Sequence, residues 1–177
     1  MRSRALILES ARAIPFEDLR LNAVARAAGL GVGTVYRHFP TVEALREAVG
    51  FEGLQEMVAR ARHYAMAERP GLQFFVLARE LARLLVEHEG VESALIGPSP
   101  SPDTELERAR LSEYCEVVLA AAIDEGLVRP EVTSIQIQHL ICGLQHAVRL
   151  NGGRDRELLT SVLLDGLRPA PVDPGLS

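Results

Sequence analysis

The chain contains no lysine and no tryptophan, has two cysteines in 177 residues, and carries aromatic side chains at only 5% of positions. Each scarcity removes a class of protein. Cys115 and Cys142 lack paired spacing, which excludes a disulfide framework and predicts reduced thiols buried in helices. No apolar run approaches the roughly 20 residues that span a bilayer, and no charged segment leads into a long apolar one at the start. A cytoplasmic protein without membrane contact is expected. No stretch alternates apolar and polar residues, while Ala, Leu, Glu and Arg prevail over β-branched runs, so the fold class is all-α. The sequence also offers no nucleophile and base at motif spacing and no phosphate-cradling glycine loop. Neither a catalytic site nor a cofactor is expected. The missing lysine is a compositional bias without a functional signal of its own.

The charge that is present is unevenly spread. The net charge is −5, yet residues 1–50 hold seven arginines against five acids, a surplus of two positive charges. The remainder holds twelve arginines against nineteen acids, a surplus of seven negative charges. A mildly basic head on an acidic body places any polyanionic partner at the head.

Helical spacing begins at Arg4, with Ile7, Ala11 and Ile14 on one face, and stops at Pro15. In "LNAVARAAG", at about 100° per residue, Leu21, Val24, Ala25 and Ala28 share a narrow sector while Asn22 and Arg26 point away. Gly29 stands where a left-handed cap closes a helix. Only Gly29–Gly31 separate this segment from "VGTVYRHF". There Val32, Val35, Tyr36 and Phe39 form the apolar sector, and Gly33, Thr34, Arg37 and His38 lie opposite. Two short amphipathic helices joined by a tight glycine turn make a helix-turn-helix, whose second helix fits a major groove. On its outer side Gly33 removes bulk, Thr34 offers a hydroxyl, and Arg37 and His38 suit phosphate oxygens or guanine N7 and O6. Tyr36 is divided between packing and a phosphate contact. Pro40 ends the helix and Thr41 caps the next one.

Further helical patterns run from Thr41 to about Glu68, over 72–89, 105–125, 135–150 and 156–167, with "GPSPSPD" (97–103) as a loop, giving about nine helices in all. The run "LNAVARAAGLGVGTVYRHFPTVEALREAV", residues 21–49, resembles the DNA-binding segment of the TetR family of transcriptional regulators. Ala25, Ala28-Gly29, Gly33-Thr34, Tyr36, Phe39 and the Glu43–Leu45 stretch follow that family's order and spacing. The resemblance implies an N-terminal three-helix helix-turn-helix head (1–48) on a six-helix ligand-binding and dimerisation body (49–177). It also implies a homodimeric, ligand-responsive repressor on a palindromic double-stranded operator. Gly33, Thr34, Tyr36, Arg37, His38 and Thr41 are the expected DNA-binding residues. The chain departs from the family in four respects. The segment "PFEDLR" is about three residues short and lacks a glycine, Arg20 replaces a Ser or Thr cap, and Val42 replaces a Lys or Arg that would meet a phosphate. The N-terminal arm is also nearly absent. Each lost phosphate contact weakens DNA binding.

In the body, Met57, Phe74, Phe75, Leu81, Tyr114 and Val118 are candidate walls of a pocket for an apolar or aromatic effector, or alternatively ordinary core. The effector's polar group would be held by Tyr114 or a neighbouring histidine. His139, Cys142 and His146 fall within about 60° of one another. They could chelate a metal, but with Ile135, Gly143 and Leu150 they fit better as a small-residue stripe facing a partner subunit. The opposite stripe, Ile137, Leu140, Ile141, Leu144 and Val148, is purely aliphatic, and no metal site is assigned. The rival to DNA binding is a helical interaction module that docks a protein through the same helix-turn-helix.

Overall fold

The computed structural model describes residues 2–88, 90–98, 100–150 and 152–170. Among these it has nine α-helices, two short 3-10 turns and no strand. The first three helices are α1 (Arg2–Arg12), α2 (Leu21–Ala27) and α3 (Val32–His38). Their inner faces close one core from Ile7, Ala11, Leu19, Leu21, Val24, Ala25, Val35, Phe39 and Leu45, with Leu30 and Val42 packed at its edge. Buried side chains of this kind stabilise the fold by about 1.5–3 kcal/mol each. α2 ends in the double bond of a Schellman motif. The Leu30 N–H donates to the Ala25 carbonyl at 2.9 Å and the Gly29 N–H to that of Arg26 at 3.2 Å. Gly29 supplies the left-handed residue this motif needs, at φ 63°.

α4 (Val42–Ala65) is capped by Thr41, whose Oγ1 accepts the Ala44 N–H at 3.1 Å. Then come a 3-10 turn at Pro70–Gln73, α5 (Phe74–Glu87), α6 (Val91–Ile96), α7 (Pro102–Asp124), α8 (Ser134–Leu150) and α9 (Arg156–Gly166). Three boundaries differ from the sequence pattern. Residues 72 and 73 belong to the 3-10 turn and not to α5. α6, six residues between Gly90 and Gly97, is too short for periodicity to reveal. α7 begins inside the expected loop because Ser101 caps it: its Oγ accepts the Thr104 N–H at 3.3 Å, and Pro102 suits the first helical position.

The contacts divide the chain into two compact units, residues up to 56 with 87–108, and 57–86 with the chain from 109 onward. In the first unit α4 crosses the turn before α6 at such short range that a Cβ on Gly50 would collide with the Gly90 carbonyl. The N-terminus of α7 is tied to α4 as well. Thr104 donates its hydroxyl to Glu47 Oε1 at 2.5 Å and the Ser101 N–H donates to the same oxygen at 2.9 Å. Arg108 spreads its guanidinium over the last carbonyls of α6, reaching Ala94 at 2.6 Å, Gly97 at 3.0 Å and Ser93 at 3.3 Å. The Ser93 carbonyl also accepts the Gly97 N–H at 3.0 Å, and the side chain adds bonds to the carbonyls at this helix end.

The second unit buries Met57, Phe74, Leu77, Leu81, Leu85, Val118 and Ala122, and from α8 Ile137, Ile141, Leu144 and Val148. α8 packs on α9. Here the structure rotates the expected stripes of α8. Leu140, placed on the aliphatic stripe by its spacing, is 48% exposed, whereas Cys142, placed on the outer stripe, is buried. Cys115 and Cys142 form no disulfide. Burial pushes the Cys115 thiol up to about 12, with the Glu116 charge adding to the effect. No helix among the described residues is long and apolar enough to cross a membrane.

Candidate nucleic-acid interface

α3 is held from behind by Val35 and Phe39, both within 3% of full burial. Its other side is open: Gly33, Tyr36, Arg37, His38 and the following Thr41 are exposed, and Thr34 is half-buried. A Cβ added to Gly33 would meet nothing within 4 Å. The glycine is therefore not required by packing inside the chain. Arg37 Nη2 donates to Thr34 Oγ1 at 3.2 Å, one turn back along the same face. This internal bond holds the guanidinium along the open surface, with its other donors available to an anion.

Two of the residues assigned to the inner sector do not lie there. Val32 is 42% and Tyr36 48% exposed, because a seven-residue helix packed chiefly on α1 and α2 has a contact strip narrower than its apolar sector. Tyr36 is therefore not enclosed in the head's core. Val42, where the family often has a phosphate-binding cation, packs against the head's core. Arg20 makes no side-chain cap to α2 and donates to the Glu17 and Leu19 carbonyls at 3.0 and 2.9 Å. It stabilises the shortened connection in place of the helix end.

One residue the sequence pattern did not single out joins this surface. Arg4 of α1 lies 5.4 Å from the Phe39 ring centroid and shares a cleft of about 190 Å³ with His38, Ala44 and Phe51 and with the carboxylates of Glu47 and Asp103. Its cation stands beside the end of α3. Only the packing of α1 across α3 brings them together, so spacing along the chain carries no sign of it.

The sequence from residue 7 to 49 matches the profile of the bacterial regulatory proteins of the tetR family, and residues 69–169 match the C-terminal domain of SbtR-like transcriptional regulators. The chain belongs to the TetR family of transcriptional regulators. Among solved structures, this TetR-family regulator is 32% identical to a TetR transcription regulatory protein from Mycobacterium vanbaalenii, covering 95% of this chain and 96% of that one, with a TM-score of 0.48. The TetR regulator SCO0520 of Streptomyces coelicolor is 26% identical over 95% and 99% of the two chains, with a TM-score of 0.53. FadR of Bacillus subtilis, solved in complex with stearoyl-CoA, shares the fold at 14% identity, 93% and 97% coverage and a TM-score of 0.62. No curated protein matches the sequence. Regulators of the TetR family bind operator DNA as dimers and respond to small molecules.

In the body of this TetR-family protein the six candidate pocket residues all fall in the second unit. Met57, Phe74, Leu81 and Val118 are buried, and Phe75 and Tyr114 half-buried. Phe74 and Phe75 meet edge to face, with centroids 5.1 Å apart, and the Arg168 guanidinium covers Phe75 at 4.1 Å. Tyr64 donates to Glu80 Oε1 at 3.0 Å. Burial raises the phenol's pKa, and the bond to Glu80 and its charge raise it further. The buried polar side chain that spacing did not flag is Gln145, 1% exposed, with no hydrogen-bond partner for either amide atom. Its position one turn after Ile141, in the aliphatic sector of α8, was the available signal. His139 and His146 are exposed while Cys142 turns inward, and no group of three His, Cys, Asp or Glu among the described residues is set to hold a metal.

Proposed function

We propose that the protein is a ligand-responsive repressor that binds a palindromic operator as a homodimer, with residues 1–48 reading DNA and 49–177 binding the effector and dimerising. The observation that carries this reading is the two-sided construction of α3: an inner edge locked by Val35 and Phe39, and an open outer face of Gly33, Thr34, Tyr36, Arg37 and His38. Such a face enters a major groove, with Thr41 and Arg4 positioned for flanking phosphates. Two copies would reach successive grooves about 34–36 Å apart. An effector releases the operator only to the extent that it binds a differently spaced dimer more tightly. Stearoyl-CoA in FadR supports an effector with an apolar body, in keeping with Met57, Phe74, Phe75, Leu81, Tyr114 and Val118. The reading assigns the chain no catalytic role and locates its action in the cytoplasm, where the operator is.

The test is selection of bound fragments from genomic DNA followed by mobility shifts at increasing salt. A regulator yields one palindromic sequence, bound with an affinity that falls linearly in log–log with salt. Retention of a protein partner with no sequence preference for DNA would instead establish the helix-turn-helix as a protein-docking module.

A further inference from the structure

The buried side chains of the second unit are hydrophobic apart from Gln145 and Thr160, and Gln145 is the one of the two whose polar atoms lack hydrogen-bond partners. It is 1% exposed, and neither its Oε1 nor its Nε2 has a hydrogen-bond partner. Buried polar groups are nearly always paired, since one left unpaired forfeits its bonds to water without replacement. The amide presents one acceptor and one donor pair side by side, so its natural complement is a group with an adjacent donor and acceptor. The other buried residues of α8 are Ile137, Ile141, Cys142, Leu144 and Val148, none of them charged. An ionised carboxylate would therefore find no cation on this face to offset its desolvation.

We infer that Gln145 is the polar recognition point of the effector, and that it selects a neutral amide or lactam carried on an apolar body, bonded edge to edge with the glutamine amide. This deepens the effector reading above and rests on it. Gln145 takes the part that spacing assigned to Tyr114 or a histidine. Tyr114 is half-buried and His139 and His146 are exposed, so none of these is enclosed in the interior as Gln145 is.

The experiment compares octanamide with nonan-2-one, which replaces the amide NH2 by a methyl group of like size, by titration calorimetry on the full-length dimer and on Gln145→Met. Octanamide is expected to bind the unaltered protein at least tenfold more tightly than the ketone. In Gln145→Met that preference should vanish or invert, through weaker amide binding and not tighter ketone binding alone. Without any probe the variant's melting temperature should be unchanged or higher, because an unpaired buried amide has been replaced by an apolar group of similar shape. A fall of several degrees would mean the amide is already paired, by water or by protein, and would overturn the inference. If the ketone binds and lowers operator affinity while octanamide binds no better, this inference fails and the effector reading stands. If neither probe binds, the inference fails and the reading of these residues as walls of an apolar effector pocket fails with it.

Discussion

Two positions on the open face of α3, Gly33 and Arg37, separate folding from recognition. A Cβ on Gly33 would point into open space, and the hydrogen bond of Arg37 runs to Thr34 on the same helix. Gly33→Leu and Arg37→Ala should therefore leave helicity and dimer intact. Arg37→Ala is expected to weaken operator binding by about 1–3 kcal/mol, and Gly33→Leu to abolish close approach of the helix. Fluorescence anisotropy on the selected operator, beside circular dichroism, checks both; full operator affinity in either variant removes that residue from the interface. A different residue-scale device is Glu47. Burial pushes its carboxyl up, but bonds from Thr104 and Ser101 and the Arg108 charge outweigh this and hold its pKa below the ordinary value. A folded value below the unfolded one, about 4.3 for glutamate, means its contribution is fully present above that pH and lost as pH falls through the lower folded value. Glu47→Gln should cost about 1–2 kcal/mol at pH 7 and flatten the stability profile between about pH 5 and the acid limb. Urea melts across that range supply the measurement, and equal losses at all pH values would contradict the linkage.

At the scale of helices, the crossing of α4 with the turn at Gly90 is decided by one missing methyl group. In an exposed helix, replacing glycine with alanine gains about 1 kcal/mol. At Gly50 the added carbon would collide with a backbone carbonyl, which cannot swing aside as a side chain can. Gly50→Ala is therefore expected to lose about 1–3 kcal/mol, the opposite sign from helix propensity. A thermal melt that rises for this variant would show that α4 and α6 are not held in contact here. The short α6 depends on such neighbours, since six residues are far below the length at which a helix is stable alone. Arg108 adds three bonds to its terminal carbonyls.

For the molecule as a whole, the outstanding feature of the surface is apolar. Ile135, Leu140 and Leu150 on α8 and Leu158 and Val162 on α9 are between 48% and 78% exposed in the single chain, as expected of helices that are covered in a dimer. Gly143 lies on the exposed side of α8, with room for a side chain. Gly143→Arg should leave the monomer folded but place an unpaired charge in the subunit interface. Light scattering is expected to show a shift from dimer to monomer, and operator affinity to fall with the loss of the second head. An unaltered dimer would place the interface elsewhere.

The all-α class, the helix-turn-helix and its open face were legible in the residues alone, because they depend on local chemistry. Gly29 ends α2 through its left-handed φ, with the N–H groups of Gly29 and Leu30 bonded to carbonyls three and five residues back, and Val35 and Phe39 share a side by the geometry of the helix itself. The family resemblance carried by residues 21–49 was legible for the same reason, since those contacts are short-range. What only the tertiary structure decided is which apolar residues find cover. Tyr36 and Val32 stay exposed because α3 is too short to be wrapped, and Leu140 exchanges places with Cys142 because α8 is oriented by packing that periodicity cannot see. Arg4 beside His38, Glu47 at Thr104 and Arg108 on the end of α6 join residues distant in sequence, and their pairing follows from where helices cross, a property no single helix carries.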